Sequence, residues 1–233
     1  MSQFMLQPEV ERPSGTWPWN FWGRWVAANA LAEMIGLGAS LLLWGIFVFG
    51  LEGRIGPLFA ALIVVVGSTA IEGSAVGLAQ WSVLRQRLPT LTWQSWLVAT
   101  ATGALIAWTL GMVPSTVFSM SAAATAEPPP EMSDLLIYSL ATGMGFVLGA
   151  ILGAPQWWVL RRHLPGAGWW IPANMLAWAV GMPAVFLGMS LAPAAGVTVA
   201  FVLTLLGVLA VAGAFVGAIH GAVLVWLLRA STA

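Results

Sequence analysis

QWSVLRQRLP, at Gln80 to Pro89, returns as QWWVLRRHLP at Gln156 to Pro165, identical at seven of ten positions. Each copy closes a long apolar run, Pro57 to Val83 before the first and Leu135 to Leu160 before the second. A spanning helix needs about 20 mostly apolar residues, so both copies read as places where a membrane span meets water. Four further runs of the same kind lie around them: Trp25 to Phe49, Trp96 to Met120, Trp170 to Ser190 and Val197 to Leu228. Barrel strands would alternate over about ten residues; these runs do not. The expected fold is therefore all-α, a polytopic bundle of six transmembrane helices. Composition agrees, with 60% hydrophobic and 7% charged residues and a mean hydropathy of +0.90, against about 25% charged in a soluble domain.

Charge placement orients the bundle. All eight basic residues are arginines. Arg12 and Arg24 precede the first span, Arg85 and Arg87 follow the second, Arg161 and Arg162 follow the fourth, and Arg229 follows the sixth; Arg54 alone is at the other end. The positive-inside rule then puts both N and C termini in the cytoplasm and Glu52, Glu127, Glu131 and Asp134 outside. Residues 1–24 form an N-terminal arm with no signal-peptide cleavage pattern. Its Trp17, Trp19 and Trp22, together with Trp25, are expected to anchor at the headgroup level. Residues 230–233 are a short tail. Net charge is zero and the arginines are scattered, which leaves no footprint for nucleic acid.

The repeat goes further than two copies. Aligned on their arginines, Gly73 to Arg85 reads GSAVGLAQWSVLR, Gly149 to Arg161 reads GAILGAPQWWVLR and Gly217 to Arg229 reads GAIHGAVLVWLLR. The pairs Gly73 and Gly77, Gly149 and Gly153, and Gly217 and Gly221 are small-residue stripes where another helix can approach closely. Trp81 with Arg85, Trp157 with Arg161 and Trp226 with Arg229 are expected interface anchors, and the Leu-Pro that follows the first two copies stops the helix. The odd spans correspond more loosely: Trp25, Trp93 with Trp96, and Trp169 with Trp170 lead to Asn29, Thr100 and Asn174, and AWTLGM at Ala107 answers AWAVGM at Ala177. The expected unit is a helical hairpin used three times, over 25–85, 93–161 and 169–229, which implies a pseudo-threefold bundle.

From Pro57 to Arg229 the chain resembles a loose group of uncharacterised bacterial multi-pass membrane proteins in which hairpins ending in QWxVLR recur before a short turn containing Pro and Trp. The resemblance rests on Gln80 to Arg85, Gln156 to Arg161 and, more weakly, Val225 to Arg229. It implies this fold and a bacterial inner membrane, and carries no activity.

Polar residues inside the spans are the candidate site. Gln80 and Gln156 lie five residues inside their arginines, about 7 to 8 Å below the interface, with Asn29 and Asn174 at similar depth. Each can bond across helices or line a cavity open to the cytoplasm. Glu33 and His220 are each nine residues from an arginine, about 13 Å deep, and Glu72 is thirteen residues in, about 20 Å. Ionisable groups at such depth point to function, and Glu33 with His220 could form a bonded pair if the first and sixth spans meet. The alternative for each is a structural role, bonded to a backbone carbonyl.

Several chemistries are excluded. Without lysine there is no Schiff base for retinal or pyridoxal, and without cysteine there is no thiolate-ligated cluster. A single deep histidine does not make a bis-His haem site. No metal-ligand spacing, nucleophile elbow or phosphate loop occurs, so an enzyme is not expected. The expected function is an integral membrane binding or assembly protein. It would hold an apolar ligand (lipid, quinone or pigment) or serve as a subunit of a larger membrane complex or homo-oligomer. The alternative is a small-solute or proton-coupled transporter or channel using Glu33, Glu72 and His220, with Pro114, Pro155 and Pro183 as helix-bending points.

Overall fold

The computed structural model describes residues 17–47, 54–125, 132–191 and 198–231. Arg12, Glu52, Glu127, Glu131 and most of the expected arm therefore lie outside the described residues. Six helices are long and apolar enough to cross a membrane: α1 (Trp17–Gly45), α2 (Pro57–Leu84), α3 (Trp93–Thr125), α4 (Asp134–Leu160), α5 (Trp170–Ser190) and α6 (Val199–Ala230). The shortest, α5, has 21 residues, and at 1.5 Å per residue reaches about 32 Å, enough for a hydrocarbon core about 30 Å thick.

The largest departure from the expected span limits is at the first helix. α1 starts at Trp17 and not at Trp25, so the Trp-rich end of the arm is helix. Packing explains it: Phe21 is buried, and the Trp22 indole donates to the Ala218 carbonyl of α6 at 3.0 Å. Trp25 is likewise no interfacial anchor, because its side chain is 0% exposed and sits in the protein centre, whereas Trp19 is exposed.

The helix stops in the two QW segments match in detail. Arg85 N–H donates to Trp81 O and Val83 O, and Arg161 N–H to Trp157 O and Val159 O. Leu88 then donates to Leu84 O, and Leu164 to Leu160 O, at 2.8 and 2.9 Å. Proline follows in each, with no N–H to continue the ladder. The turn leucines are not merely punctuation. Leu84, Leu88, Leu91, Leu160 and Leu164 are buried with Leu224, Leu227 and Leu228 around Trp25, Trp96 and Trp170, forming an apolar plug across the arginine end.

Each helix packs on the helices before and after it, and α6 returns to pack on α1, so the bundle closes. Glycines set the tightest seams. A Cβ on Gly73 would stand 3.0 Å from Ala101 Cα, one on Gly77 3.0 Å from a Leu97 methyl, and one on Gly217 3.1 Å from Val26 Cα. On Gly149 it would run into the Asn174 carbonyl, while Gly153 faces the Asn174 side chain and Gly221 the Trp25 ring. These glycines therefore join α2 to α3, α4 to α5 and α6 to α1.

Pro155 in α4 leaves the Ile151 carbonyl without its helical donor. Gly103 of α3 packs there, a Cβ on it falling 3.4 Å from that oxygen. Large apolar side chains such as Leu135, Val199 and Leu203 point outward, the distribution expected where lipid is the solvent.

Gly149→Val should cost about 1–3 kcal/mol, because backbone cannot yield as a side chain does. Gly143→Ala, with open space around its Cβ, should leave stability nearly unchanged. Thermal unfolding of both variants in detergent checks the contrast.

Candidate functional site

Three indoles organise the interior. Trp25, Trp96 and Trp170 are fully buried and meet edge to face, Trp25 to Trp170 at 6.0 Å and Trp96 to Trp170 at 6.3 Å between ring centres. An indole N–H can only donate. In the membrane interior, where water is excluded, each must find an acceptor.

Trp96 donates to Gln80 Oε1 at 3.2 Å, Trp170 to Gln156 Oε1 at 3.0 Å and Trp25 to His220 Nδ1 at 2.9 Å. These bonds fix the rest. With Oε1 of each glutamine turned to an indole, its amide nitrogen must donate elsewhere: Gln80 Nε2 to Asn29 Oδ1 at 2.9 Å, and Gln156 Nε2 to Gln80 Oε1 at 3.0 Å and Thr100 Oγ1 at 2.9 Å. Asn29, Thr100 and Asn174 each donate to the carbonyl of the buried tryptophan four residues earlier, at 2.8 to 2.9 Å. Nδ1 of His220 accepts from a pure donor, so the ring is the tautomer with its proton on Nε2.

The bonds running through Trp25, Asn29, Gln80, Thr100, Gln156, Trp170 and His220 tie all six helices together. His220 thus fills the acceptor role for which α6 has no glutamine, standing one turn deeper than Leu224, which is a buried apolar residue. The expected pair of Glu33 with His220 is not formed. Trp25 takes the histidine, and Glu33 Oε2 is buried without a hydrogen-bond partner among the described residues.

Beneath this layer, away from the arginine end, lies a chamber of about 30 Å³. Glu33, Glu72 and His220 all line it, with Asn29, Gln80 and Gln156. Glycines make room beside the acids: the Glu33 side chain rests on Gly213 of α6, where an added Cβ would stand 2.8 Å away, and Gly36 of α1 admits Glu72, a Cβ there falling 3.0 Å from its Cα. Glu72 Oε2 accepts from the Trp108 indole at 2.8 Å. On the scale where one water takes about 10–15 Å³ and a cavity of about 150 Å³ admits benzene, the chamber suits one or two waters or a small ion. It has no room for a ring or an acyl chain.

The residues expected as interface anchors lie at the arginine end. The Arg85 guanidinium lies over the Trp81 ring at 5.0 Å, and that of Arg161 over Trp157 at 5.2 Å and Trp158 at 3.2 Å, within cation–π range. Trp226 is exposed and meets Trp169 edge-on, and Arg229 is in the last turn of α6. The two QW turns also touch, Thr90 Oγ1 standing 3.1 Å from His163 Nδ1.

Residues beyond those expected complete the site. The tryptophan triad acts as donors, where Trp25 is expected as an anchor and Trp96 and Trp170 only as span starts; its signal is the spacing shared by Trp25 with Asn29, Trp96 with Thr100 and Trp170 with Asn174. Trp108, in the AWTLGM phrase, holds Glu72, while its counterpart Trp178 lines the chamber. Gly213 extends the stripe of Gly217 and Gly221 by one more turn, whereas Gly36, Ser40, Ser68 and Thr69 carry no signal in the sequence. Comparison of the chain with protein-family models, with curated proteins and with solved structures finds no match.

Gln156→Leu orphans the Trp170 N–H and should cost about 1–3 kcal/mol. Pairing it with Trp170→Phe should recover part of that loss, since no donor is then stranded. A double-mutant cycle on unfolding in detergent reads the coupling, and simple additivity would show the bond to be worthless.

Proposed function

We propose that the protein is a small proton-coupled transporter or channel of a bacterial inner membrane. It is built from three repeated hairpins, with both termini and the arginine end in the cytoplasm. One observation carries the reading: Glu33 and Glu72, from different helices, line a single interior chamber with His220, and Glu33 Oε2 is buried with no partner among the described residues. A charge at mid-membrane costs at least about 2.5–3.5 kcal/mol on insertion scales. A bundle whose only task was packing would gain by replacing both acids with leucine, whereas one that passes protons needs them.

The threefold design supports the same reading. Trp96 with Gln80, Trp170 with Gln156 and Trp25 with His220 each join one hairpin to another, the last with its acceptor one turn deeper. In the third, a glutamine is replaced by histidine, whose Nδ1 is held by the Trp25 N–H, so the two acids and not the ring are left to exchange protons in the chamber.

In proteoliposomes carrying a pH-sensitive dye, the wild type should show proton flux under an imposed potential. Glu72→Gln and Glu33→Gln should each lower it by about tenfold or more, the scale on which positioned acid–base groups act. Absence of flux in the wild type, or flux unchanged in both variants, would refute the reading.

A second reading, a binding or assembly protein for an apolar ligand, has support on the outer surface. Between α1 and α6 lies a groove of about 240 Å³ lined by Trp19, Trp22, Val225 and Arg229, large enough for part of a lipid. Mass spectrometry of the purified protein should then find a lipid whose amount falls in Trp22→Ala. Equal amounts in both preparations would count against it.

A further inference from the structure

Four buried side-chain oxygens lack a hydrogen-bond partner among the described residues: Glu33 Oε2, Ser40 Oγ, Ser68 Oγ and Thr69 Oγ1. All four are on α1 and α2. Elsewhere in the bundle, Thr100, Thr102, Thr109, Ser115, Ser121 and Thr142 each close on the carbonyl four residues back, the usual refuge of a hydroxyl in a membrane helix. Ser40, Ser68 and Thr69 do not take it, although Ser40 and Ser68 are 0% exposed.

These groups lie along one line. On α1, Glu33, Gly36, Ser40 and Leu43 recur at helical spacing on one face, and on α2, Ser68 and Glu72 are one turn apart. The two faces meet, since a Cβ on Gly36 would stand 3.0 Å from Glu72 Cα and one on Gly67 2.6 Å from a Leu43 methyl. Between those contacts Ser40 falls level with Ser68 and Thr69. The hydroxyls therefore continue from the two carboxyls for about 10 Å, two turns of α1, away from the arginine end. In the other direction the route is closed by the indole layer and the leucine plug.

Buried polar atoms left unpaired by the protein call for water or an ion. A hydroxyl both donates and accepts, so a file of hydroxyls and waters can hand a proton along without a net change in bonding. We propose that the seam between α1 and α2, through Ser40, Ser68 and Thr69, is the hydrated path by which protons reach Glu33 and Glu72 from the membrane face opposite the arginine end. This deepens the transport reading and rests on it. The titratable groups facing the chamber are Glu33 of α1, Glu72 of α2 and His220 of α6, and the residues lining it from α3, α4 and α5 are not titratable. The path carries a proton and not a sodium ion, because carboxyl and hydroxyl are strung out along it and do not converge on one centre.

The test compares the full-length wild type, Ser40→Ala/Ser68→Ala and Ser68→Thr in proteoliposomes, with Glu72→Gln as reference. The expected result is proton flux lowered about tenfold or more in the double alanine variant, near wild-type flux in Ser68→Thr, which keeps the hydroxyl, and no gain in melting temperature from the alanines. A dry seam gives the reverse: removing unsatisfied hydroxyls relieves a desolvation penalty and raises the melting temperature. Wild-type flux in the double alanine variant while Glu72→Gln loses it would overturn the seam and leave the chamber standing. Flux that follows a sodium gradient and ignores pH also overturns it. No dependence on Glu72 would remove chamber and seam together.

Discussion

An indole N–H buried in hydrocarbon has one demand, an acceptor, and the interior of this bundle is organised around meeting it three times. Trp25, Trp96 and Trp170 come from α1, α3 and α5, and their acceptors His220, Gln80 and Gln156 from α6, α2 and α4. Every such bond crosses from one helix to another. Once the acceptor oxygens are committed to indoles, the amide nitrogens of Gln80 and Gln156 must donate inward, which carries the network to Asn29 and Thr100. In water these bonds would add little. In a bilayer, leaving any of them unmade costs more, and that asymmetry makes the layer specify one arrangement of six helices.

The layer and the glycine stripes solve the same problem at different heights. Glycines bring α2 to α3, α4 to α5 and α6 to α1 within backbone contact, and the polar bonds then set the depth at which those helices stop sliding. The chamber is a product of both. Gly36 and Gly213 leave space that Glu72 and Glu33 enter, and the plug of tryptophan and leucine seals the end nearest the arginines. The buried polar atoms without a partner among the described residues are thus on the other side of the seal, where α1 and α2 meet.

Much of this is legible in the sequence. Run length and hydropathy gave six spans, because lipid leaves helices few alternatives, and Gln80 with its twin Gln156 was recognisable from a ten-residue match; in space they bond to each other at 3.0 Å. Trp25 was misplaced because tryptophan favours both headgroups and buried donor sites, and only tertiary packing chooses between them. His220 was noticed for its depth, yet its equivalence to the glutamines was hidden by an offset of four residues, one helical turn, which matters to a linear alignment and little to a side chain reaching across a bundle. Ser40 and Ser68 were invisible for a different reason. Serine in a spanning helix is common and usually self-satisfied, so their meaning depends on bonds they do not make.

A map of the protein in a lipid nanodisc, at a resolution that shows water, distinguishes an indole layer closing off a small hydrated chamber with two acids from a dry or ligand-filled interior. The expected map has the Trp25, Trp96 and Trp170 indole nitrogens within hydrogen-bond distance of His220, Gln80 and Gln156, and water-sized density touching Glu33 between α1 and α2. A collapsed, dry chamber, or an acyl chain or ring system occupying the bundle interior, would contradict it.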